Sequence, residues 1–267
     1  MRVPQCRTIG RHTREVRSFN LKDAILKLSS WRWPMRIPLI ATILVIVGVG
    51  CIPLLSPAMA AYACPACYGL LRVTANLFVD PAMSVEDRTK LQEAISRAAA
   101  QVTAFYGSFD HTPTLLACAS EECDHRLGGK GARANTYGTT FIRVSPNGLN
   151  QTILAHEFSH VELHTRIRLM RFLVGAIPAW FDEGLAVIVS DDARYLKPGT
   201  TSAMRCLVEP EDGLPSSPSQ WRPLAAKTPG LYAQAACRVM RWMEANGGTA
   251  RLLTMITQIA DGTRQFP

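Results

Sequence analysis

A single pentapeptide, HEFSH at residues 156–160, restricts the fold of this 267-residue chain more than any other feature of its sequence. In a helix, His156 and His160 project from the same face, so that both imidazoles reach one metal ion. Glu157 lies between them, where its carboxylate can act on a water bound to zinc. Apolar residues flank the pentapeptide and predict a partly buried helix. Two histidines and a glutamate are costly to bury unless something binds them, so a zinc site is favoured over a merely hydrogen-bonded helix face.

A second motif supplies the candidate third ligand. The segment WFDEGLA, residues 180–186, places Glu183 23 residues after His160, on a helix that can pack against the first. A nearer alternative is His164, but it lies about 12 Å along the helix from His156 and cannot close the same tetrahedral site. His164 is therefore expected to be a surface residue or a support for a ligand. The aromatic residues of the second motif are expected to pack the two helices together, and its glycine to let them approach closely.

The two motifs together resemble those of the gluzincin metallopeptidases, and more narrowly the peptidase MA-like group of bacterial proteins, whose pattern is H-E-x-x-H followed at a distance by W-F-x-E-G-x-A. The tight match covers residues 156–186 and extends loosely to the final helices. The resemblance implies that His156, His160 and Glu183 are zinc ligands, and that Glu157 is the general base and acid. It also implies, more weakly, that Tyr232 stabilises an oxyanion.

The same resemblance implies an α+β fold: a small sheet with an edge strand by the active site, followed by a zincin-type helical core. Residues 139–145 (TTFIRVS) resemble the edge strand that binds an extended substrate. The chain also departs from related patterns. It lacks a G-x-M-E-N motif, which argues against the classical aminopeptidases, and Val187 stands four residues after Glu183, where the thermolysin type has an acid. Asp182 is the candidate to orient a histidine instead.

Hydrophobic periodicity and turn residues independently predict a mixed α+β chain, with a small sheet followed by helices. Ser84 is expected to cap a helix that stops before Gly107. Residues 121–133 are polar and Gly-rich and predict a loop, and residues 191–229 predict an irregular excursion. The predicted strands are 114–119 and 139–145, and the predicted helices are about 85–106, 149–173, 178–190, 231–245 and 249–259.

The first 60 residues differ in character from the rest of the chain. Residues 1–36 are basic, residues 37–55 are almost wholly apolar, and the next five residues, SPAMA, end at Ala60 in an Ala-x-Ala pattern. This is the layout of a secretory signal peptide with cleavage after Ala60, and a start at Met35 would give it the usual length. The alternative is an N-terminal anchor in the inner membrane, formed by the apolar run. Either way, residues 61–267 are expected to form a single exported domain, periplasmic or secreted.

Charge and cysteine usage after the leader support this interpretation. From Ala61 onward, 20 Lys or Arg residues face 19 Asp or Glu residues, so the net charge of +8 belongs mostly to the leader. No basic patch remains to indicate a nucleic-acid partner. Six cysteines follow the leader, and an even number in an exported protein favours disulfides. The expected pairs are Cys118–Cys123, Cys206–Cys237 and Cys64–Cys67, the last with a redox pair or half of a metal site as alternatives.

These features together predict an exported zinc-dependent peptidase that acts on a peptide or protein substrate, with Zn2+ as cofactor and Glu157 as general base. One alternative is a zinc-dependent amidase acting on cell-wall peptides. Another is a non-catalytic zinc-binding protein of the cell envelope. The presence of Glu157 favours an enzyme, because a site that only binds zinc has no need of a base.

Overall fold

The computed structural model describes residues 56–267, so the sequence predictions for residues 1–55 lie outside the described residues. Within the described range, no helix combines the length and the apolar character that a membrane crossing requires. The first element is helix α1 (Pro57–Ala63), whose N-cap Ser56 accepts a hydrogen bond from a backbone N–H of the first turn. The bond after Ala60 therefore lies inside a helix, and cleavage at that bond stays a prediction.

The architecture is α+β, as predicted, with all the strands of the described chain in its first half. The long helix after the first hairpin is N-capped by Ser84, whose hydroxyl accepts the backbone N–H of Asp87, and it is C-capped by Gly107, where φ is 84°. The strands are β1 (Leu71–Thr74), β2 (Leu77–Val79), β3 (Thr114–Ala117), β4 (Ala134–Tyr137) and β5 (Phe141–Val144). The remaining helices are α2 (Val85–Tyr106), α3 (Glu121–Arg126), α4 (Gln151–Ile167), α5 (Leu169–Leu173), α6 (Ala179–Ser190), α7 (Ser202–Arg205), α8 (Pro218–Ala225), α9 (Leu231–Asn246) and α10 (Gly248–Asp261).

The five strands form one mixed sheet in the order β1-β2-β3-β5-β4. Strand β3 pairs in parallel with β2 and β5, whereas β1–β2 and β4–β5 are antiparallel. The predicted strand 139–145 is β5, but it is an inner strand, so the expectation that it forms the edge is wrong. The edge strand is β4, which was not predicted. Its sequence, ANTY, lies between Gly131 and Gly138 and is too short and polar to show a strand pattern.

Both faces of the sheet are covered, because alternate residues of β5 point to opposite sides. Ile142 belongs to the main core, which includes residues of α2 and α4, whereas Phe141 belongs to a smaller core with residues of α1 and α3. Arg143 points to the same side as Phe141, where it is buried and forms an ion pair with Asp124 of α3. It also donates a hydrogen bond of 2.6 Å to the side-chain oxygen of Asn135. The edge strand is thus fixed to β5 by side chains as well as by its backbone.

Two predicted segments differ from the structure. The predicted helix 149–173 is interrupted at Arg168, whose φ is 68°, so that α5 starts in a new direction after α4. Neither glycine nor proline marks this break, and the sequence pattern therefore did not reveal it. The predicted loop 121–133 contains α3, which is N-capped by Ser120. The excursion 191–229 is largely irregular, as predicted, apart from α7 and α8.

All three predicted disulfides are present in the described domain. Cys64–Cys67 and Cys118–Cys123 close short loops, and Cys206–Cys237 joins the end of α7 to α9. The last bridge ties the irregular excursion to the helix that carries Tyr232. Cross-links that close a loop of this kind stabilise the fold chiefly by restricting the unfolded chain.

Candidate metal centre

Helix α4 is held in place by its N-cap and by the contacts of its buried side. Its N-cap is Asn150, whose side-chain oxygen accepts a backbone N–H of the first turn. On the buried side, the hydroxyl of Tyr106 in α2 lies 3.0 Å from the hydroxyl of Ser159. The apolar residues of α4 belong to the main core. The face of the helix that carries His156 and His160 is thereby directed toward α6.

Helix α6 carries the second motif and is held at its start and along one side. Its first two backbone N–H groups donate hydrogen bonds to the carbonyl oxygens of Ser216 and Pro215. Phe181 is buried in the main core, as the sequence predicts. A Cβ atom at Gly184 would lie 2.5 Å from the carbonyl oxygen of Ala235 in α9. The glycine therefore lets α6 approach α9, and the expectation that it serves the contact between the two motif helices is wrong.

The three side chains that the motifs predict as metal ligands come together where α4 meets α6. The Nε2 atoms of His156 and His160 lie 3.2 Å apart. Glu183 places Oε2 3.4 Å from Nε2 of His156 and 3.6 Å from Nε2 of His160. Donors bound around a tetrahedral zinc ion at bond lengths of about 2.0–2.1 Å are separated by about 3.3 Å. The spacing of the three donors therefore fits a zinc ion, and these residues form a group that can hold a metal.

Asp182 supports this group from the next position of α6. Its Oδ1 lies 2.6 Å from Nδ1 of His160, and its Oδ2 lies 2.8 Å from Nε2 of His164. All three side chains are buried. The prediction that Asp182 orients a histidine is confirmed in its geometry. Of the two expectations for His164, the supporting residue is correct and the surface residue is wrong, and His164 does not belong to the three-donor group.

The charges of the site depend strongly on one another. Burial alone would raise the pKa of Glu183, but hydrogen bonds from His156 and His160 lower it to about 2. Burial would also raise the pKa of Asp182, but the imidazoles of His160 and His164 hold it far below its usual range. Burial opposes protonation of His160, yet Asp182 and Glu183 raise its pKa well above the ordinary value of 6.5. Both carboxylates are therefore ionised at neutral pH.

Glu157 lies on the same helix but contacts the sheet rather than the three donors. Its Oε2 accepts a hydrogen bond of 2.6 Å from the hydroxyl of Thr136 in β4. Glu157 is buried and is not a member of either metal-binding group in the described chain. Sequence reasoning missed Thr136, because the contact joins residues far apart in sequence through the register of an unpredicted strand. A carboxylate held beside the ligands, and not among them, is suited to accept a proton.

The outer edge of β4 is open beside this carboxylate. The backbone N–H of Ser145 donates to the carbonyl of Arg133, which marks these two residues as a hydrogen-bonded pair. Such pairs alternate with non-bonded pairs in an antiparallel ladder, so Ala134 and Thr136 direct their backbone groups away from β5. Among residues 56–267, no strand pairs with that side of β4. The edge can therefore accept an extended chain next to Glu157.

Tyr232 lies beside the donors at the start of α9. The centroid of its ring is 6.2 Å from that of His156. The ring stacks on Tyr195, with centroids 5.0 Å apart, and meets Trp221 edge to face. Burial, and then the charge of Glu183, raise the pKa of its hydroxyl. Tyr232 therefore stays protonated at neutral pH and can donate a hydrogen bond.

No protein-family model, curated protein or solved structure matches this chain. The site is accordingly defined by its own residues: three donors at metal-binding distances, a carboxylate beside them, and a buried aspartate behind one of the histidines.

Proposed function

We propose that this protein is an exported zinc-dependent peptidase in which His156, His160 and Glu183 hold the zinc ion and Glu157 is the general base. The observation that carries the proposal is the spacing of the three donors, 3.2, 3.4 and 3.6 Å, with a separate carboxylate beside them. Structural zinc sites close with four protein ligands, whereas catalytic sites use three and keep one position for water or substrate. Among residues 56–267, no fourth His, Cys, Asp or Glu joins this group.

The residues around the donors support the chemistry of peptide hydrolysis. Zinc in this site would supply a Lewis acid that activates water and polarises a carbonyl group. Glu157 would accept the proton of the attacking water and return it to the leaving amine. The hydroxyl of Thr136 restrains one oxygen of that carboxylate through its hydrogen bond. Tyr232, held protonated beside His156, is the candidate donor to the oxyanion that develops on the substrate.

The open edge of β4 favours an extended peptide as substrate. A peptide that adds to a sheet edge forms backbone hydrogen bonds that do not depend on its sequence, and pockets for its side chains then give selectivity. The outward backbone groups of Ala134 and Thr136 would form those bonds. Because Thr136 also contacts Glu157, a peptide paired there would lie next to the base.

The three disulfides support an oxidising compartment for the domain. Together with the predicted leader, they favour action in the periplasm or outside the cell, on a peptide or protein present there.

The proposal is tested by digestion of a broad peptide library with the purified, zinc-loaded full-length protein, and the products are identified by mass spectrometry. Wild-type protein is expected to cleave peptide bonds, and Glu157→Gln to lower kcat by about 100- to 10,000-fold while zinc stays bound. A matched control is Glu93→Gln, since Glu93 is on the surface of α2 and, within residues 56–267, pairs only with Arg97. This variant is expected to cleave like the wild type.

Other outcomes would overturn the proposal in defined ways. A wild-type protein that binds no zinc would refute the metal site. Cleavage of cell-wall peptides, with no cleavage of library peptides, would replace the peptidase with the amidase alternative. Zinc binding without cleavage of either substrate class would support a non-catalytic zinc-binding protein.

A further inference from the structure

Asp182 is the middle of a buried row of three side chains, His160, Asp182 and His164, which begins at one of the proposed zinc ligands. Its Oδ1 is 2.6 Å from Nδ1 of His160, and its Oδ2 is 2.8 Å from Nε2 of His164. Asp182 is 8% exposed and His164 is 5% exposed, so water has little access to either contact. The proposed hydrolysis assigns no role to His164.

The tautomers of the two histidines follow from their contacts. Nε2 of His160 faces His156 and Glu183, where the proposed zinc ion would bind. The proton of its neutral ring therefore lies on Nδ1 and is donated to Asp182. The second oxygen of Asp182 accepts a hydrogen bond from Nε2 of His164. Asp182 is therefore held through both oxygens, and it cannot rotate away from His160 without losing its contact with His164.

The helix break at Arg168 allows Phe172 to pack over His164 at the end of this row. After the break, α5 brings Phe172 back over His164, with ring centroids 3.7 Å apart. In an unbroken helix, position 172 would lie about 12 Å further along the axis than position 164. Nδ1 of His164 is buried and has no hydrogen-bond partner among the described residues. Asp182 on one side and Phe172 on the other thus fix the imidazole of His164.

We propose that His164 is a positioning residue for the metal ion and that it acts through Asp182, an inference that rests on the proposed zinc site. By occupying the second oxygen of Asp182, His164 keeps the first oxygen on Nδ1 of His160 and directs Nε2 of that histidine to the ion. Removal of such outer partners typically weakens metal binding about 10- to 100-fold. A His164 that merely filled space would change the free energy of unfolding and leave zinc affinity unaltered.

The test is the zinc dissociation constant of the full-length protein, measured by competition with a chromophoric chelator. Asp182→Asn is expected to raise it by about 10- to 100-fold, and His164→Leu by about 10-fold. In the double variant, His164→Leu should add little to the effect of Asp182→Asn, because its influence passes through that carboxylate. The matched controls are His125→Leu and Asp191→Asn, since both residues are exposed and belong to neither metal-binding group. Both controls should bind zinc like the wild type.

A second readout separates positioning from general loss of structure. His164→Gln retains an N–H donor near the position of Nε2 and should restore most of the zinc affinity lost in His164→Leu. The visible spectrum of the cobalt-substituted protein reports the geometry at the ion. It should change in His164→Leu and return toward the wild-type spectrum in His164→Gln.

Each outcome decides the inference. Unchanged zinc affinity in both His164→Leu and Asp182→Asn would overturn it and leave the zinc site itself intact. An equal loss caused by His164→Leu in the wild-type and Asp182→Asn backgrounds would show that His164 does not act through Asp182. A wild-type protein without zinc would instead refute the proposed function, so the two failures are distinguishable.

Discussion

Two groups of buried side chains share His160 and differ in the distances between their nitrogen and oxygen atoms. The open group consists of His156, His160 and Glu183, with donor atoms 3.2, 3.4 and 3.6 Å apart and a glutamate side chain that is 21% exposed. The closed group consists of His160, His164 and Asp182, with contacts of 2.6 and 2.8 Å and side chains that are at most 10% exposed. Both groups contain two histidines and one carboxylate, so composition alone does not separate them.

The distances separate the proposed ligand set from the residues that support it. In the closed group, the carboxylate oxygens already take up the N–H groups of two imidazoles through short hydrogen bonds. In the open group, the same atom types lie 3.2–3.6 Å apart, which is longer than the contacts of the closed group and close to the donor separation around one zinc ion. Glu157 is the sequence neighbour of His156, which belongs to the open group alone. Clusters of metal-binding residue types are therefore best judged by the spacing of their donor atoms.

The largest expected effect comes from removing a ligand of the open group. Glu183→Ala should reduce bound zinc from about one ion per chain to a small fraction, because two imidazoles alone do not complete a zinc site. His164→Leu should still reach about one zinc per chain when zinc is in excess, because His164 belongs only to the closed group. Metal analysis of full-length protein after equilibrium dialysis against a defined excess of zinc measures both. Zinc retained by Glu183→Ala would move the third ligand and reverse the assignment of the two groups.

A smaller effect, on kcat/KM, is expected when the contact between Glu157 and Thr136 of the sheet is removed. Thr136→Val removes the hydroxyl that bonds to Glu157 and should lower kcat/KM by about 10- to 150-fold, since a hydrogen bond to a charged group contributes about 1.5–3 kcal/mol. Thr136→Ser retains the hydroxyl and should act like the wild type. The substrate is any library peptide that the wild type cleaves. Zinc affinity should be equal in all three proteins, and a weakened zinc affinity in Thr136→Val would contradict the separation of base and ligands.

The most gradual effect is the pH dependence of the metal-free protein. The pKa of Glu183 is lowered to about 2 from 4.5, so its contribution to stability is present above pH 4.5 and is lost as the pH falls toward 2. The pKa of His160 is raised above 6.5, so its contribution is present below pH 6.5 and is lost as the pH rises through the raised value. Metal-free protein should therefore unfold at a lower urea concentration at pH 8.5 than at pH 5.5.

Urea unfolding in the presence of a chelator, with the disulfides intact, measures this dependence. The decrease above pH 6.5 should be smaller in Asp182→Asn, because that carboxylate is the largest source of the raised pKa of His160. A higher urea midpoint at pH 8.5 than at pH 5.5 would contradict the ion pair between His160 and Asp182.

Sequence patterns predicted the residues whose relation is set within one helix or one motif. The helical repeat alone places His156 and His160 on one face, and the second motif supplied Glu183. The even number of cysteines likewise predicted that disulfides form, although a count does not fix which cysteines pair. These are features that a single segment, or a count of residues, can express.

The parts that could not be predicted depend on contacts between distant segments. Thr136 meets Glu157 only because β4 pairs antiparallel with β5, and β4 is too short and polar to be recognised. The break at Arg168 has no glycine or proline to mark it, yet it decides where Phe172 lies. Asp182 was named as a support for a histidine, but its contact with both His160 and His164 required the crossing of α4 and α6.

Helix α1 has a consequence for the predicted cleavage after Ala60. Ala58 and Ala61 are 1% and 0% exposed, so the bond after Ala60 lies in a helix that is docked on the sheet. A processing enzyme must bind its target in an extended form, and a docked helix does not provide one. The cleavage predicted at this bond would therefore have to occur before α1 folds onto the sheet, and a domain that folds first would be protected from it. If the predicted leader is removed, the order of cleavage and folding would decide whether the chain begins at Ala61 or keeps the residues before it.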